Sequence, residues 1–273
     1  MPARDILFVT LDSCRHDVYE AAATPVIDRV GRAVRAYSPS HFTYGAHAAF
    51  FVGFTPGDPA RRERYINPKY GKIFRMHGGG VVGQQAAPYL ALEGRSIIDG
   101  LRRLGYRAIG SGGVGWFNPE TDTGRLLSAD FDRFHYGGGA SLRAQRAWLM
   151  KETAEARADG RPLFAFLNVA ETHVPYYHEG ATWDAAVNPC LPFADDNDAA
   201  ESRRRQIACL EWVDAELAPL LDAYADAAII VCADHGDCWG EDGLWEHGVH
   251  HAKTLEVPLV LRLPDPPPAF DGP

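Results

Sequence analysis

Residues 6–13 of the chain read ILFVTLDS, an apolar and β-branched run that is followed at once by an aspartate. A run of strand length without polar alternation is typical of a strand that is covered on both faces, as in a parallel sheet. Similar runs lie at 163–169, 227–233 and 257–263, with a shorter one at 107–110. The sequence therefore predicts a buried, mostly parallel sheet.

Helical patterns separate these runs. A Thr-Pro pair, which favours a helix start, predicts a helix over 24–34. Segments 140–157 and 199–224 carry apolar residues at spacings of three and four, the period of a helix with one buried face. Strands that alternate with helices predict an α/β fold: a mostly parallel central sheet with helices on both faces.

The size of the chain favours one large domain. It has 273 residues, of which 46% are hydrophobic and 23% are charged, ordinary values for a folded protein. We expect residues 1–264 to form a single domain, because three prolines in a row interrupt helices and central strands in the tail at 265–273.

Charge and hydropathy exclude several classes of protein. The formal net charge, 27 − 36 = −9, disfavours binding to nucleic acid, which usually requires an excess of Lys and Arg. We expect no membrane partner, because no apolar run approaches the ~20 residues of a membrane span. The opening residues do not resemble a secretion signal, so the predicted location is cytoplasmic.

Two acidic sites follow predicted strands, at the edge where chemistry gathers in parallel sheets. Asp12 follows the first run, and Asp234 and His235 follow the run at 227–233. An adjacent carboxylate and imidazole can bind one metal ion. The alternatives are a helix N-cap for Asp12 and a solvated turn for Asp234. Because neighbouring buried strands bring the two sites together, the metal site is favoured.

A further candidate is Thr43, which precedes a helix-like apolar stretch in HFTYGAHAAFFVG, residues 41–53. A hydroxyl at the start of a helix lies beside unpaired N–H groups, which attract anions such as phosphate. The alternative, an ordinary N-cap threonine, is the commoner role.

Several spaced motifs together resemble the alkaline phosphatase superfamily, in particular its sulfatase-like branch. In chain order they are LFVTLDSCRHD (7–17), TPVIDRV (24–30), GYRAIG (105–110), FDRFHYG (131–137), THVPYY (172–177), ADHGDCWGEDGLWEHG (233–248) and VPLVLRLP (257–264). The resemblance implies an alkaline-phosphatase-like catalytic domain. It extends to the closing strand and no further, so we expect the chain to lack the smaller C-terminal subdomain of many sulfatases.

The resemblance also implies which residue is the nucleophile. In the family this residue lies ten positions before a glycine and four before a basic residue, and counting from Gly53 selects Thr43, with His47 as the basic residue. The sulfatase-like tetrapeptide SPSH (38–41) does not fit that spacing. Sulfatases carry a formylglycine made from Cys or Ser, and their Gly-Lys-Trp element is absent from GGVGWFN (112–118). Both departures favour phosphate over sulfate esters.

The remaining roles are carried over from the family by position. The implied metal ligands are Asp12, Thr43, Asp234 and His235, the implied catalytic residues are Thr43, His173 and His247, and the implied substrate-binding residues are His47, His250 and Arg62. Histidine nitrogen favours zinc or manganese over calcium or magnesium. One metal ion is favoured over two, because the family's usual second-site aspartate motif is not recognisable. A second metal remains an alternative, with Glu171, His173, His247 and His250 as an approximate ligand set, and the choice among His247, His250 and His251 is left open.

The predicted function is metal-dependent hydrolysis or transfer of phosphate esters, through a phosphothreonine on Thr43 and with a small anionic metabolite as substrate. The first alternative is a sulfatase or a phosphonate monoester hydrolase, whose active sites overlap chemically with this one. The second is a catalytically inactive binding or scaffold protein. Assembly into a homo-oligomer is left open.

Overall fold

A computed structural model describes residues 4–53, 74–82, 85–92 and 95–263 of the chain. Two features singled out from the sequence, Arg62 and the Pro-rich tail at 265–273, lie outside the described residues.

A seven-stranded sheet forms the centre of the described fold, in the order β2-β11-β8-β1-β7-β5-β6. Strands β8, β1, β7, β5 and β6 pair in parallel, whereas β11 is antiparallel to both of its neighbours. A hairpin, β3-β4, and a short ribbon, β9-β10, form separate two-stranded sheets. The strands are β1 (Ile6–Leu11), β2 (Val34–Tyr37), β3 (Phe74–Val82), β4 (Gln85–Leu92), β5 (Arg107–Gly112), β6 (Arg133–Tyr136), β7 (Leu163–Val169), β8 (Ala228–Ala233), β9 (Cys238–Trp239), β10 (Trp245–Glu246) and β11 (Glu256–Arg262).

Helices cover both faces of the sheet. They are α1 (His16–Tyr19), α2 (Thr43–Val52), α3 (Ile97–Arg103), α4 (Asp122–Ser128), α5 (Leu142–Ala158), α6 (Ala199–Ala223) and α7 (Ala252–Leu255), with 3-10 turns at Ile27–Arg29, Gly115–Phe117 and Glu241–Gly243. Alternate residues of β1 enter separate cores: Leu7 packs with residues of α5 and α6, and Phe8 packs with residues of α2, α3 and α4. The predicted α/β fold with a mostly parallel sheet is confirmed.

The predicted strands match the observed ones closely. The runs at 6–11 and 163–169 are strands over the same residues, and those at 227–233 and 257–263 are displaced by a single residue at their ends. All seven residues of β7 are buried. A strand buried on both faces has few polar positions in its sequence, which is why these runs could be recognised.

The predicted helix over 24–34 is wrong. In its place is one 3-10 turn, Ile27–Arg29, followed by the edge strand β2. The carboxylate of Asp214 on α6 accepts hydrogen bonds from the backbone N–H groups of Val26 (3.0 Å) and Ile27 (2.7 Å). These tertiary partners satisfy N–H groups near a helix start, so a short turn suffices where the Thr-Pro signal predicted a full helix.

Strand register brings the candidate residues together. Leu11 at the end of β1 pairs in parallel with Ala233 at the end of β8, so the next residues, Asp12 and Asp234, leave the sheet side by side. On the other side of β1, Leu11 pairs with Val169 at the end of β7. Three loops therefore meet at one edge of the sheet, as ligand-binding loops do in parallel α/β folds.

Candidate active site

Four predicted residues converge at this edge: Asp12, Thr43, Asp234 and His235, all with no exposed surface. Thr43 Oγ1 lies 3.2 Å from His235 Nε2 and 3.4 and 3.5 Å from the two carboxylate oxygens of Asp12. His235 Nε2 also lies 3.6 Å from Asp12 Oδ1 and 3.7 Å from Asp234 Oδ2. Residues separated by up to about 220 positions thus share one small polar cluster.

Asn168 on β7 orients Asp12. Its Nδ2 donates to Asp12 Oδ2 at 3.0 Å, and its Oδ1 accepts from the backbone N–H groups of Gly113 (3.1 Å) and Val114 (3.3 Å). These contacts fix which end of the amide faces Asp12. The sequence analysis missed Asn168, although a polar residue inside the apolar run LFAFLNV was a usable signal, because a buried amide needs partners.

Asp234 carries an unpartnered oxygen. Its Oδ1 accepts from the backbone N–H groups of Ser13 (3.1 Å) and His235 (3.0 Å), whereas its Oδ2 is buried without a hydrogen bond. Burial, and then the nearby charge of Asp12, raise the pKa of Asp234 well above its usual value. A buried carboxylate oxygen with no donor is costly unless a cation occupies the site.

His235 is arranged as a neutral ligand. Its Nδ1 donates to the carbonyl oxygen of Gly236 at 3.0 Å, which leaves the lone pair on Nε2 directed toward Thr43. Burial, and then the charge of His247, lower the pKa of His235 to about 4. Gly236 is required here, since a Cβ at this position would lie 2.2 Å from the carbonyl oxygen of Lys253.

These donors fit a divalent cation. Potential ligand atoms of Asp12, Asp234 and His235 lie within 4.8 Å of one another. Two carboxylates and a neutral imidazole are a ligand combination that zinc accepts, and the unpartnered Asp234 oxygen supplies an independent reason for a cation.

The loop after β8 contributes a second charged pair. His247 Nδ1 lies 2.8 Å from Asp237 Oδ1, and the His247 ring centroid is 4.6 Å from that of His235. Burial opposes the charge on His247, but the hydrogen bond and charge of Asp237 prevail and raise its pKa to about 9. Burial likewise opposes the charge on Asp237, and His247 outweighs it, so the pKa of Asp237 is lowered.

The sequence analysis did not select Asp237 as a site residue. Its signal was present in the spacing Asp-His-Gly-Asp, residues 234–237. The ligand combination His235, Asp237 and His247 also satisfies the distance requirement for a metal ion. Both oxygens of Asp237 are already hydrogen-bonded, however: Oδ1 to His247 and Oδ2 to the hydroxyl of Tyr176 at 2.7 Å.

His173 faces His247 across the opening of the site. Their ring centroids are 5.0 Å apart, and His173 Nδ1 donates to the carbonyl oxygen of Val174 at 2.8 Å. This hydrogen bond leaves Nε2 as the atom of His173 that can meet another group. Both histidines are partly exposed, whereas Asp12 and Thr43 are fully buried, so the histidines lie on the solvent side of the cluster.

His47 lies behind Thr43, one turn along α2. Its Nδ1 donates to the Thr43 carbonyl oxygen (2.8 Å), and its Nε2 accepts from the hydroxyl of Thr10 (3.0 Å). Burial lowers its pKa to about 4. The rings around it are those of Phe50, Phe51, Phe117 and Phe166, at centroid distances of 5.0–6.1 Å. A neutral, enclosed ring argues against the predicted contact with substrate and favours support of the nucleophile helix.

The other predicted histidines differ in their surroundings. His250 is exposed, and His251 caps α7 by accepting from the Lys253 N–H at 3.0 Å. Of the three histidines left open by the sequence, His247 is therefore the one that packs on His235. Glu171 accepts from the backbone N–H of Leu142, at the start of α5, so its carboxylate serves a helix start.

The SPSH segment has a supporting role. Ser38 Oγ lies within hydrogen-bonding distance of the carbonyl oxygens of Asp234 and Ser40. Gly45 in the first turn of α2 leaves room for the Ser40 side chain, since a Cβ there would lie 2.4 Å from Ser40 Oγ. Thr43, and not Ser38 or Ser40, is the hydroxyl residue beside Asp12 and His235.

The fold and this site define the class of protein. A family model described as Sulfatase matches residues 72–269, more than half of the chain, so the chain belongs to the Sulfatase family. Solved structures with the same fold include a protein in the alkaline phosphatase superfamily, and together with the family model this confirms the sulfatase-like resemblance seen in the sequence motifs.

The individual proteins that this chain resembles share little sequence with it, or share it over a short segment. Choline-sulfatase from Rhizobium meliloti (strain 1021) is 31% identical over 75 residues, which make up 25% of this chain and 15% of that protein. The C-terminal periplasmic domain of phosphoethanolamine transferase EptC from Campylobacter jejuni shares 13% identity at a TM-score of 0.62, over 96% of this chain and 80% of that one. The corresponding EptC domain from Escherichia coli, in complex with Zn, shares 13% identity at a TM-score of 0.63, over 97% and 74%.

Among the helices that lie in the described ranges, none combines the length and the apolar character that crossing a membrane requires.

Proposed function

We propose that the protein is a metal-dependent hydrolase or transferase of phosphate esters, in which Thr43 is the nucleophile. The observation that carries this proposal is the position of Thr43 Oγ1, 3.2 Å from His235 Nε2 and 3.4 Å from Asp12 Oδ1. A threonine hydroxyl is a weak nucleophile unless a base takes its proton or a metal ion held by such neighbours lowers its pKa.

One divalent cation would be held by Asp12, Thr43, Asp234 and His235. We propose zinc or manganese ahead of calcium or magnesium, because the set includes an imidazole nitrogen. The EptC domain from Escherichia coli, which shares this fold, forms a complex with Zn, and this supports zinc. When bound, the cation supplies charge that lowers the pKa of the threonine hydroxyl and neutralises a phosphate oxygen.

The residues of this chain perform the remaining steps. Thr43 Oγ loses its proton to solvent and forms a bond to phosphorus as the bond to the leaving oxygen breaks, and this gives a phosphothreonine. His247, held as an imidazolium by Asp237, donates a proton to the leaving oxygen, and His173 faces the same opening. Water or a second alcohol then attacks the phosphothreonine and releases Thr43.

A sulfatase is the first alternative, and the Sulfatase family model and the choline-sulfatase match favour it. Threonine at the nucleophile position opposes it. The Cβ of threonine bears a methyl group, so oxidation would give a ketone and not the aldehyde of formylglycine. Phosphonate monoester hydrolysis is part of the same alternative, and assaying a phosphonate beside the phosphate and sulfate esters tests it. The second alternative, a catalytically inactive scaffold protein, predicts that the polar cluster binds no metal.

The experiment compares ester classes and metals in one series. Protein stripped with a chelator is reloaded with zinc, manganese, magnesium or calcium, and assayed on nitrophenyl phosphate, a phosphate diester, a phosphonate and a sulfate. We expect phosphoester turnover with zinc or manganese, and a loss of roughly 10³-fold or more in Thr43→Ala.

Thr43→Ser is the matched control, because it keeps the hydroxyl and should retain part of the activity. Mass spectrometry of acid-quenched protein should find the phosphate on residue 43. Turnover of sulfate alone, or full activity in Thr43→Ala, would refute the assignment. Metal-free, inactive protein after reloading would favour the scaffold alternative.

A small metabolite as substrate, a cytoplasmic location and assembly with further copies of the chain remain predictions.

A further inference from the structure

Tyr176 is a fully buried tyrosine beside the candidate site. It follows β7 in the THVPYY motif, and its backbone has φ +56°. Its hydroxyl lies 2.8 Å from Trp239 Nε1 and 2.7 Å from Asp237 Oδ2. Because an indole N–H can only donate, the tyrosine oxygen accepts from Trp239, and its single proton is directed at Asp237.

Asp237 receives this hydrogen bond on one oxygen and the Nδ1–H of His247 on the other, at 2.8 Å. It has no exposed surface, so solvent cannot replace either partner. Asp234, three residues earlier, differs because its Oδ2 is unpartnered. Asp237, with both oxygens hydrogen-bonded, is suited to orienting a neighbouring side chain. Asp234, with one unpartnered oxygen, is suited to binding a cation.

We infer that Tyr176 is a positioning residue which, through Asp237, fixes the ring of His247 at the opening of the active site. The inference rests on the proposed function, in which His247 meets the substrate. The His247 side chain is 15% exposed, and its ring centroid lies 4.6 Å from that of His235 and 5.0 Å from that of His173. With Nδ1–H held by Asp237, Nε2 is the His247 atom that faces a ligand.

The hydroxyl of Tyr176 matters because it fixes the second oxygen of Asp237. Without it, the buried carboxylate has a free oxygen and can rotate, and the ring hydrogen-bonded to it rotates as well. Partners of this kind, one step removed from the reacting groups, typically cost about 10- to 100-fold in activity when they are removed.

The test is Tyr176→Phe, which removes one oxygen atom and keeps the ring. Tyr224→Phe is the matched control: Tyr224 is equally buried, and its hydroxyl lies 2.7 Å from Thr153 Oγ1, at the opposite end of the sheet. For zinc-loaded protein we expect Tyr176→Phe to lower kcat by about 10-fold or more, with zinc affinity within about twofold of the parent. Tyr224→Phe should leave both unchanged.

Two further readouts do not require turnover. The proton on His247 Nδ1 should give a downfield ¹H resonance, assigned with ¹⁵N-histidine, which shifts in Tyr176→Phe and stays in place in Tyr224→Phe. Inorganic phosphate, titrated calorimetrically into zinc-loaded protein, should bind several-fold more weakly to Tyr176→Phe. If no ester is turned over, the proposed function fails, and these two readouts still decide the role of Tyr176.

Matching behaviour of the two tyrosine variants in the NMR and phosphate measurements would overturn the inference. If Tyr176→Phe does not fold, Trp239→Phe replaces it, since it removes the N–H that directs the Tyr176 proton at Asp237 and leaves the Asp237–His247 pair in place. We expect the same displaced resonance and lowered kcat there, and an unchanged resonance would again overturn the inference.

Discussion

The unpartnered oxygen of Asp234 leads to a quantitative prediction about metal and stability. A ligand that binds only the folded state stabilises it by about 2.7 kcal/mol at a free concentration one hundred times its Kd. An unfolding entropy of about 2.1 cal/mol/K per residue gives about 0.6 kcal/mol/K for 273 residues. Zinc at that excess should therefore raise Tm by about 5 °C.

Asp234→Asn should abolish this shift. The variant removes the anionic oxygen that faces the cation, while its amide oxygen can still accept from the N–H groups of Ser13 and His235. The metal-free variant should be at least as stable as the parent at pH 8, because burial and Asp12 penalise the charged carboxylate there. Since the pKa of Asp234 is raised, the metal-free parent loses stability as pH rises above the usual carboxyl range.

Differential scanning calorimetry of chelator-treated protein, with and without zinc, measures these shifts. Asp214→Asn is a matched control, because Asp214 is also buried but accepts hydrogen bonds from the N–H groups of Val26 and Ile27, away from the site. It should lower Tm equally with and without zinc. A zinc shift in Asp234→Asn as large as that of the parent would refute the cation site.

Two predictions concern stability near the site. Burial raises the pKa of Glu171 from 4.5 to about 7, so the folded state loses about 3 kcal/mol as pH rises through that window, at about 1.4 kcal/mol per pH unit. The unfolding free energy of Glu171→Gln should therefore equal that of the parent near pH 4.5 and exceed it at pH 8. Urea unfolding at both pH values measures this, and the same difference between variant and parent at the two pH values would contradict it. Arg15 is buried over the Trp239 ring at 4.0 Å, with bidentate hydrogen bonds to Asp17 and an ion pair with Glu241. Arg15→Ala should lower the unfolding free energy by about 2–3 kcal/mol, less than the loss of a fully buried pair, because both acids are partly exposed. Arg15→Lys should have an intermediate unfolding free energy, because lysine cannot form the bidentate contact. If urea unfolding gives Arg15→Lys the stability of the parent, the bidentate geometry does not contribute.

The sheet could be read from the sequence because burial on both faces leaves few polar residues in the central strands. The edges could not. Strand β2 is mostly exposed and β6 has only four residues, so neither carries an apolar run. The helix predicted over 24–34 failed for a related reason: the carboxylate of Asp214, 188 positions from Val26, determines the local conformation.

In the candidate site, too, some features could be predicted from the sequence and others could not. Asp12, Thr43, Asp234 and His235 could be selected because strand ends and family spacing are properties of the sequence. Their orientation could not, because it depends on hydrogen bonds between distant residues. Asn168 reaches Asp12 across 156 positions, and no pattern near either residue indicates that contact.

The two aspartates of the Asp-His-Gly-Asp motif show how the folded environment assigns different roles to identical side chains. Asp234 and Asp237 are three residues apart and equally buried. Burial and Asp12 raise the pKa of Asp234, and one of its oxygens has no donor. The pKa of Asp237 is lowered despite burial because His247 stabilises its charge, and Tyr176 occupies its other oxygen. A cation would satisfy the first carboxylate, whereas the second already has its countercharge. We therefore favour one metal ion in this site, with the imidazolium of His247 in place of a second metal ion.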